Sequence, residues 1–364
     1  MVSKLEDIPV INAGQFLLGR LKAFNREKIA LIDGTTEEKL TYAEITDRVE
    51  HAAAGLQKLG VCKNDVIAVV APNCPDYVVA FYASALIYAT FQPINPLFTI
   101  DDLKKVFKVC STKYVITIPE LLPKVTPAIQ DLPNSIKVIV IGDKDAAGGN
   151  VTFQSLVETS DGQYTTPAGN PKKDVVALMS SSGTTGFPKA VLISHFAIVA
   201  NTLIQHNTPM IASDSNLVSF LPLFHMYGLY VMTYYSHFVG ASLVLMRKFA
   251  PDDYLRLLEK YKPTVIQTVP PIMVMFAKYP KVADYDLSSI KVAVCGAAPL
   301  SKEIEDMVKE KLKIPCVHQG YGMTEIGVSH INGKTDFKHK SVGKRHSLVQ
   351  MKVSSHKIVD FQDY

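Results

Sequence analysis

The sequence predicts an α/β fold with at least two sheets, and three observations carry that prediction. Amphipathic helical segments alternate with short β-branched runs along most of the chain, the pattern of a parallel sheet covered on both faces by helices. The 364 residues suffice for two or three compact units with a substantial core. Hydrophobic residues make up 48% and charged residues 20%, which excludes a disordered chain and suits a globular enzyme.

The elements follow in order. "TYAEITDRVEHAAAGLQKLG" has Thr41 and Glu44 at capping-box spacing, an apolar stripe through Ile45, Val49, Ala52, Leu56 and Leu59, and a stop at Gly60. "DVIAVVA" then reads as a buried strand, "DYVVAFYASALIYAT" and "DDLKKVFKVC" as helices, and "KYVIT" and "KVIVIGD" as strands. Residues 143–174, rich in Gly, Ser, Thr and Asp, read as a linker with a short helix in its middle. Beyond it come strands "VVALM" and "AVLIS", helix "DDYLRLLEKY", strands "TVIQTV" and "KVAVCG", helix "KEIEDMVKEKL" and strand "PCVHQ".

From Ala190 to Met246 only Asp214 carries a formal charge, which marks a deeply buried stretch. Its part from Met226 to Met246 is long enough for a membrane span. It contains Gly228, Ser236, His237, Gly240, Ser242 and four tyrosines, however. A buried helix, a turn at "HFVG" and a strand "ASLVLM" therefore explain it better. The formal charge of +4 resides wholly in residues 331–364 and is too small to argue for nucleic acid. Cys62, Cys74, Cys110, Cys295 and Cys316 are scattered without CxxC spacing, which argues against a disulfide framework or a zinc site and suits a reducing compartment. His195, His206 and His237 lack metal-ligand spacing. "MVSKLEDIPVINAG" has no continuous apolar core, so no secretory signal is expected.

Chemistry concentrates in "MSSSGTTGFPKAVLISH", Met179 to His195. Gly183 and Gly186 let the backbone approach a ligand closely. Ser180, Ser181, Ser182, Thr184 and Thr185 add hydroxyls, successive N–H groups can form an anion nest, and Lys189 adds a mobile positive charge. The loop is built to hold phosphate. It is not the P-loop pattern, since Phe187 and Pro188 separate Gly186 from Lys189, and there is no GxGxxG. A flexible linker would not sit between two buried strands.

Together with "LPLFHMYG" (221–228), "CGAAPL" (295–300) and "QGYGMTE" (319–325), this loop strongly resembles the signatures of the adenylate-forming superfamily. That superfamily contains acyl-CoA synthetases, adenylation domains of peptide synthetases and beetle luciferase. The resemblance covers most of the chain and is nearest to the 4-coumarate–CoA ligase and luciferase-like branch. Ala190 departs from it, standing where the family usually has glycine. The resemblance implies the large N-terminal domain of that fold, with layered sheets flanked by helices. It divides the chain into a first α/β sub-domain with linker (1–173), a second carrying the nucleotide site (174–330), and the start of a β-barrel with a divergent tail (331–364).

The implied activity is ATP-dependent activation of a carboxylic acid through an acyl-adenylate, followed by transfer to coenzyme A, with Mg²⁺ as cofactor. The partners would be a small carboxylic acid, ATP and coenzyme A. Glu325 offers a hard oxygen to Mg²⁺, and Thr324 a hydroxyl to the α-phosphate; outside this motif a Thr-Glu pair would read as a helix start. Ser181, Ser182, Gly183, Thr184, Thr185, Gly186 and Lys189 would hold the phosphates. Tyr321 offers a face to adenine between Gly320 and Gly322, with Gln319 beside them. Gly296, Ala297 and Ala298 would form the other wall of the adenine and acyl pocket.

His225 alone would read as a packed core histidine; the resemblance assigns it to the carboxylate pocket and to a gate between the two half-reactions. Tyr227, Ala297 and Gly320 would line the acyl pocket for a largely apolar acid, aromatic or medium-to-long aliphatic. Lys248 would touch coenzyme A, or is a solvated surface lysine. Beyond "SVGKRHSLVQMKV" the family's ribose-binding aspartate, hinge arginine and small C-terminal domain are expected to be absent, leaving the barrel incomplete. Two readings follow: a ligase by family whose activity is partial or lost, or a catalytically silent fragment that binds nucleotide or a partner. An intracellular setting, cytoplasmic or peroxisomal, is expected, without a Ser-Lys-Leu ending.

Overall fold

A computed structural model describes residues 2–130, 132, 135–142, 145–181, 189–333 and 341–352. Three sheets organise them. The largest has seven strands in the order Val151–Thr152, Lys137–Val140, Thr112–Thr117, Val66–Val70, Thr90–Ile94, Val175–Ser181, Lys189–Ser194. It is parallel apart from the final antiparallel pair. A four-stranded sheet runs Asn216–Ser219, Ser242–Leu245, Ile29–Asp33, Lys39–Thr41. A five-stranded sheet runs Val265–Thr268, Val292–Cys295, Val317–Met323, Gly327–Ile331, Lys344–Arg345. Strands from both sides of residue 174 share the first two sheets.

The helix Tyr42–Leu59 begins with the expected reciprocal cap, Glu44 N–H donating to Thr41 Oγ1 (3.1 Å) and Thr41 N–H to Glu44 Oε2 (2.7 Å). It ends at Gly60 in the left-handed region and buries Ile45, Val49, Ala52 and Leu56. Two expectations are corrected, and one helix is added. The helix expected through "DYVVAFYASALIYAT" stops at Leu86, and a strand follows at Thr90–Ile94. Pro93 hides that strand, because it lacks the N–H a ladder uses; the pairing with Val175–Ser181 is made earlier, at Phe91 with Ala177. The helix Leu122–Gln130, which tolerates Pro127, was not anticipated. The supposed linker contributes an edge strand, Val151–Thr152, ahead of its short helix Phe153–Glu158.

The charge-free stretch is a π-helix at Tyr227–Tyr235 that passes into an α-helical turn, Ser236–Val239, and a strand, Ser242–Leu245. "HFVG" is thus the helix end, closed by Gly240. Among the described residues no helix is long and apolar enough to cross a membrane. Two of its polar side chains have distant internal partners: Tyr82 Oη donates to His237 Nδ1 (2.8 Å), His237 Nε2 donates to Ala30 O (3.1 Å), and Tyr234 Oη donates to Ala13 O (2.7 Å). Ala13 N–H in turn donates to His195 Nδ1 at 3.1 Å.

His195 and His237 are wholly buried, and burial pushes each down to about 4. Both are therefore neutral in the folded protein at neutral pH. A lowered folded-state pKa means that the unfolded chain takes up the proton first, so their contribution is complete above about 6.5 and lost as pH falls toward about 4. Each histidine should remove on the order of 3 kcal/mol across that window. Urea midpoints measured between neutral and mildly acid pH should fall steadily. A flat profile would contradict the buried neutral state.

Candidate active site

A cavity of about 360 Å³ opens beside the carboxyl ends of three strands of the five-stranded sheet, the edge at which such sheets bind ligands. Gln267, Val294, Gly296 and Ala297 come from those strand ends and their turns. Residues Gly320 to Glu325 enter from the hairpin Val317–Met323 and Gly327–Ile331, and His225 to Tyr227 from the segment that starts the π-helix. Ser181 enters from the strand leading into the phosphate loop. Among the described residues lining this cavity, Glu325 carries the only formal charge.

The histidine segment is held from below. Asn73, buried behind it, donates through Nδ2 to Leu221 O (3.0 Å) and Met246 O (3.2 Å) and accepts Leu223 N–H at Oδ1 (2.9 Å). The chain then turns so tightly that a Cβ on Gly228 would lie 2.1 Å from Pro222 O. His225 Nδ1 accepts Tyr227 N–H at 3.3 Å, which leaves the ring proton of the neutral form on Nε2. Burial lowers its pKa, favouring that neutral form. Tyr227 Oη donates to Gln267 Oε1 at 2.8 Å, and burial pushes its hydroxyl far above the ordinary phenol range. Ala297 takes a left-handed conformation at φ +71°, which costs a non-glycine residue about 1–2 kcal/mol and turns the chain at the cavity wall.

In the hairpin, pairing shifts between Tyr321 and Gly322 and closes at Met323 with Gly327. Thr324 and Glu325 therefore occupy its tip, Thr324 half-buried and Glu325 exposed. Tyr321 is 46% exposed and its ring meets His330 edge-on at 5.8 Å, leaving a face open to a planar ligand.

The structure thus brings together Ser181, His225, Tyr227, Gly296, Ala297, Gly320, Tyr321, Gly322, Thr324 and Glu325. Ala298 is exposed in the same turn as Ala297 but does not line the cavity. Gln319 is buried, and its Oε1 accepts Leu300 N–H at 3.1 Å, bracing the "GAAPL" turn from behind. Lys189 is exposed opposite Ser181, where the hairpin strands meet the loop. Lys248 is exposed beyond the strand Ser242–Leu245 and outside the cavity wall. Ser182, Gly183, Thr184, Thr185 and Gly186 lie outside the described residues.

Sequence reasoning missed Gln205, Thr208, Met210, Tyr230, Val231 and Gln267, all of which line the cavity. The available signal was Gln205 itself, a polar residue in a helix of the stretch from Ala190 to Met246.

A family model for "AMP-binding enzyme" matches residues 20–359. The chain is 38% identical over 332 residues to 4-coumarate–CoA ligase 2 of Solanum tuberosum, covering 89% of this chain and 60% of that protein. It is 35% identical over 337 residues to 4-coumarate–CoA ligase 1 of Arabidopsis thaliana, with the same coverage of 89% and 60%. The chain therefore spans about 60% of the length of these relatives. Among solved structures it resembles an anthranilate CoA ligase in complex with anthranoyl-AMP, with a TM-score of 0.88 at 22% identity over 94% of this chain and 66% of that one. A red-emitting luciferase from Phrixothrix hirtus gives a TM-score of 0.81 at 29% identity over 89% of this chain and 63% of that one.

Gly228→Ala tests the turn that carries His225 and Tyr227. The added methyl meets backbone rather than a yielding side chain, so the protein should lose about 1–3 kcal/mol, read as a lower denaturant midpoint. Unchanged stability would mean that the turn is looser than its geometry.

Proposed function

Because the chain belongs to the AMP-binding enzyme family, we propose that it activates a carboxylic acid with ATP to give an acyl-adenylate and pyrophosphate. The observation that carries this reading is the meeting of His225, Tyr227, Ala297, Tyr321, Thr324 and Glu325 at one cavity, with Ser181 at its edge. A carboxylate oxygen attacks the α-phosphorus, the bond from that phosphorus to the bridging oxygen breaks, and pyrophosphate leaves with the electron pair. The acid thereby gains AMP as a leaving group. Tyr321 stacks on adenine. Thr324 donates to the α-phosphate. Neutral His225 offers its Nε2–H to the acid's carboxylate, binding it without the strong pairing that would blunt its attack.

Mg²⁺ fits this site as a companion of the nucleotide. Among the described residues no group of three or more His, Cys, Asp or Glu converges to cage a metal, while one carboxylate, Glu325, lines the cavity. Mg²⁺ typically takes one or two carboxylates and completes its shell with substrate phosphates and water. Bound there, it supplies neutralisation of the crowded phosphate charge. Lys189 adds to that neutralisation from the mouth of the loop.

Among the described residues the remainder of the wall is uncharged, which favours a neutral acyl group, mostly apolar with Tyr227 and Tyr230 beside it. The aromatic acids in the names of the similar ligases, 4-coumarate and anthranilate, are of this kind. Transfer of the acyl group to coenzyme A, with Lys248 contacting that co-substrate, is the proposed second half-reaction. An intracellular setting accords with the two co-substrates and with five free thiols.

Two measurements test the proposal. A non-hydrolysable acyl-adenylate analogue at 100 times its dissociation constant should stabilise the chain by about 2.7 kcal/mol, a visible rise in melting temperature. Acid-dependent exchange of labelled pyrophosphate into ATP should be present and should fall by about 10²–10³ in Glu325→Gln and in Lys189→Ala. An unmoved melt with no exchange would overturn the proposed activity for this chain; exchange that persists in both variants would overturn the site assignment.

A further inference from the structure

The hairpin tip that carries Thr324 and Glu325 is clamped by a side chain distant in sequence. Asn201 sits on the helix His195–His206 and is 8% exposed. Its Nδ2 donates to two backbone carbonyls of the hairpin, Ile326 O at 2.9 Å and Val328 O at 3.0 Å. Its Oδ1 accepts Val328 N–H at 3.3 Å. One amide thus satisfies two carbonyls and one N–H, and the three backbone groups fix which way the amide faces. The turn is shaped to receive it: Gly327 has φ +67°, and a Cβ there would stand 2.6 Å from Asn201 Oδ1.

We infer that Asn201 is a positioning residue for the nucleotide: it holds the Thr324–Glu325 tip at the height at which the tip meets the phosphates. The inference rests on the reading above, in which those two side chains serve ATP and its metal. Among the described residues the tip has little else behind it, since the pairing between its strands ends at Met323 and Gly327 and one further backbone bond, Ile326 N–H to Met323 O at 3.3 Å, spans the turn. The supporting helix, by contrast, is firmly seated. Ser194 caps it by accepting Ala197 N–H at 3.1 Å, and His195, wholly buried, accepts Ala13 N–H. One turn past Asn201 the same helix face presents Gln205 to the cavity. A single rigid element therefore both lines the cavity and sets the position of the carboxylate at its rim.

Two substitutions separate positioning from general stability. Asn201→Ala removes all three bonds. Asn201→Asp keeps the size and the acceptor for Val328 N–H but turns an oxygen toward the carbonyls of Ile326 and Val328. Amide hydrogen exchange in the ligand-free chain should speed up about tenfold at residues 324–328 in both variants, as loss of about one net hydrogen bond predicts. The helix 195–206 and the strand 317–323 should keep their protection. Affinity for MgATP should fall about tenfold or more, most in Asn201→Asp, while affinity for adenosine, which has no phosphates, stays within about twofold.

Unchanged exchange at the tip would overturn the inference. So would acceleration spread evenly over helix and sheet, or adenosine binding that weakens in step with MgATP. If the unaltered chain binds no MgATP, the proposed function fails, and exchange at the tip still decides whether Asn201 holds the hairpin.

Discussion

A single buried amide closes the seam between the seven-stranded and the four-stranded sheets. Asn73 follows the central strand Val66–Val70 of the seven-stranded sheet, yet all three of its bonds go to residues 221–246. Leu221 and Leu223 precede His225, and Met246 directly follows the strand Ser242–Leu245 of the four-stranded sheet. Those backbone groups lie where water does not reach, so leaving them unpaired would cost about 1–3 kcal/mol each. The need to satisfy them fixes the path of the histidine segment relative to both sheets. The cavity inherits its floor from that fixed path, and the tight passage at Gly228 follows from it.

Tyr234 and His237 of the charge-free stretch perform a similar task further from the cavity. Tyr234 donates to Ala13 O, and Tyr42 donates to Ala241 O at 2.8 Å from the opposite direction. His237 joins Tyr82 to Ala30 O in between. These bonds tie the first forty-odd residues to the middle of the chain. A ring that buries a large apolar area while its hydroxyl reaches a distant carbonyl supplies both packing and direction.

What was legible in the sequence was local. The capping box at Thr41 and Glu44, the β-branched runs and the motifs that meet at the cavity each announce themselves within a dozen residues. The strand containing Pro93 was not legible, because its neighbours in the sheet, not its own composition, make it a strand. The edge strand Val151–Thr152 is too short for any periodicity. Asn73 and Asn201 look like ordinary polar residues in the sequence, since the groups they hold lie 125 to 173 positions away. The π-helical winding at Tyr227–Tyr235 is equally silent, for an apolar run is compatible with either helical form. The phosphate loop was the clearest signal of all, and its central residues 182–188 lie outside those described.

Ala297 carries a consequence for how such a cavity changes over evolutionary time. Its methyl group is a piece of wall maintained against a backbone preference worth about 1–2 kcal/mol. Glycine at that position would relax the backbone and enlarge the cavity at once, whereas a larger apolar side chain would keep the strain and narrow the space. Ligand size and conformational comfort are therefore coupled at one residue. Selection for a bulkier ligand is rewarded there with a calmer backbone, and selection for a smaller one must accept a tenser one.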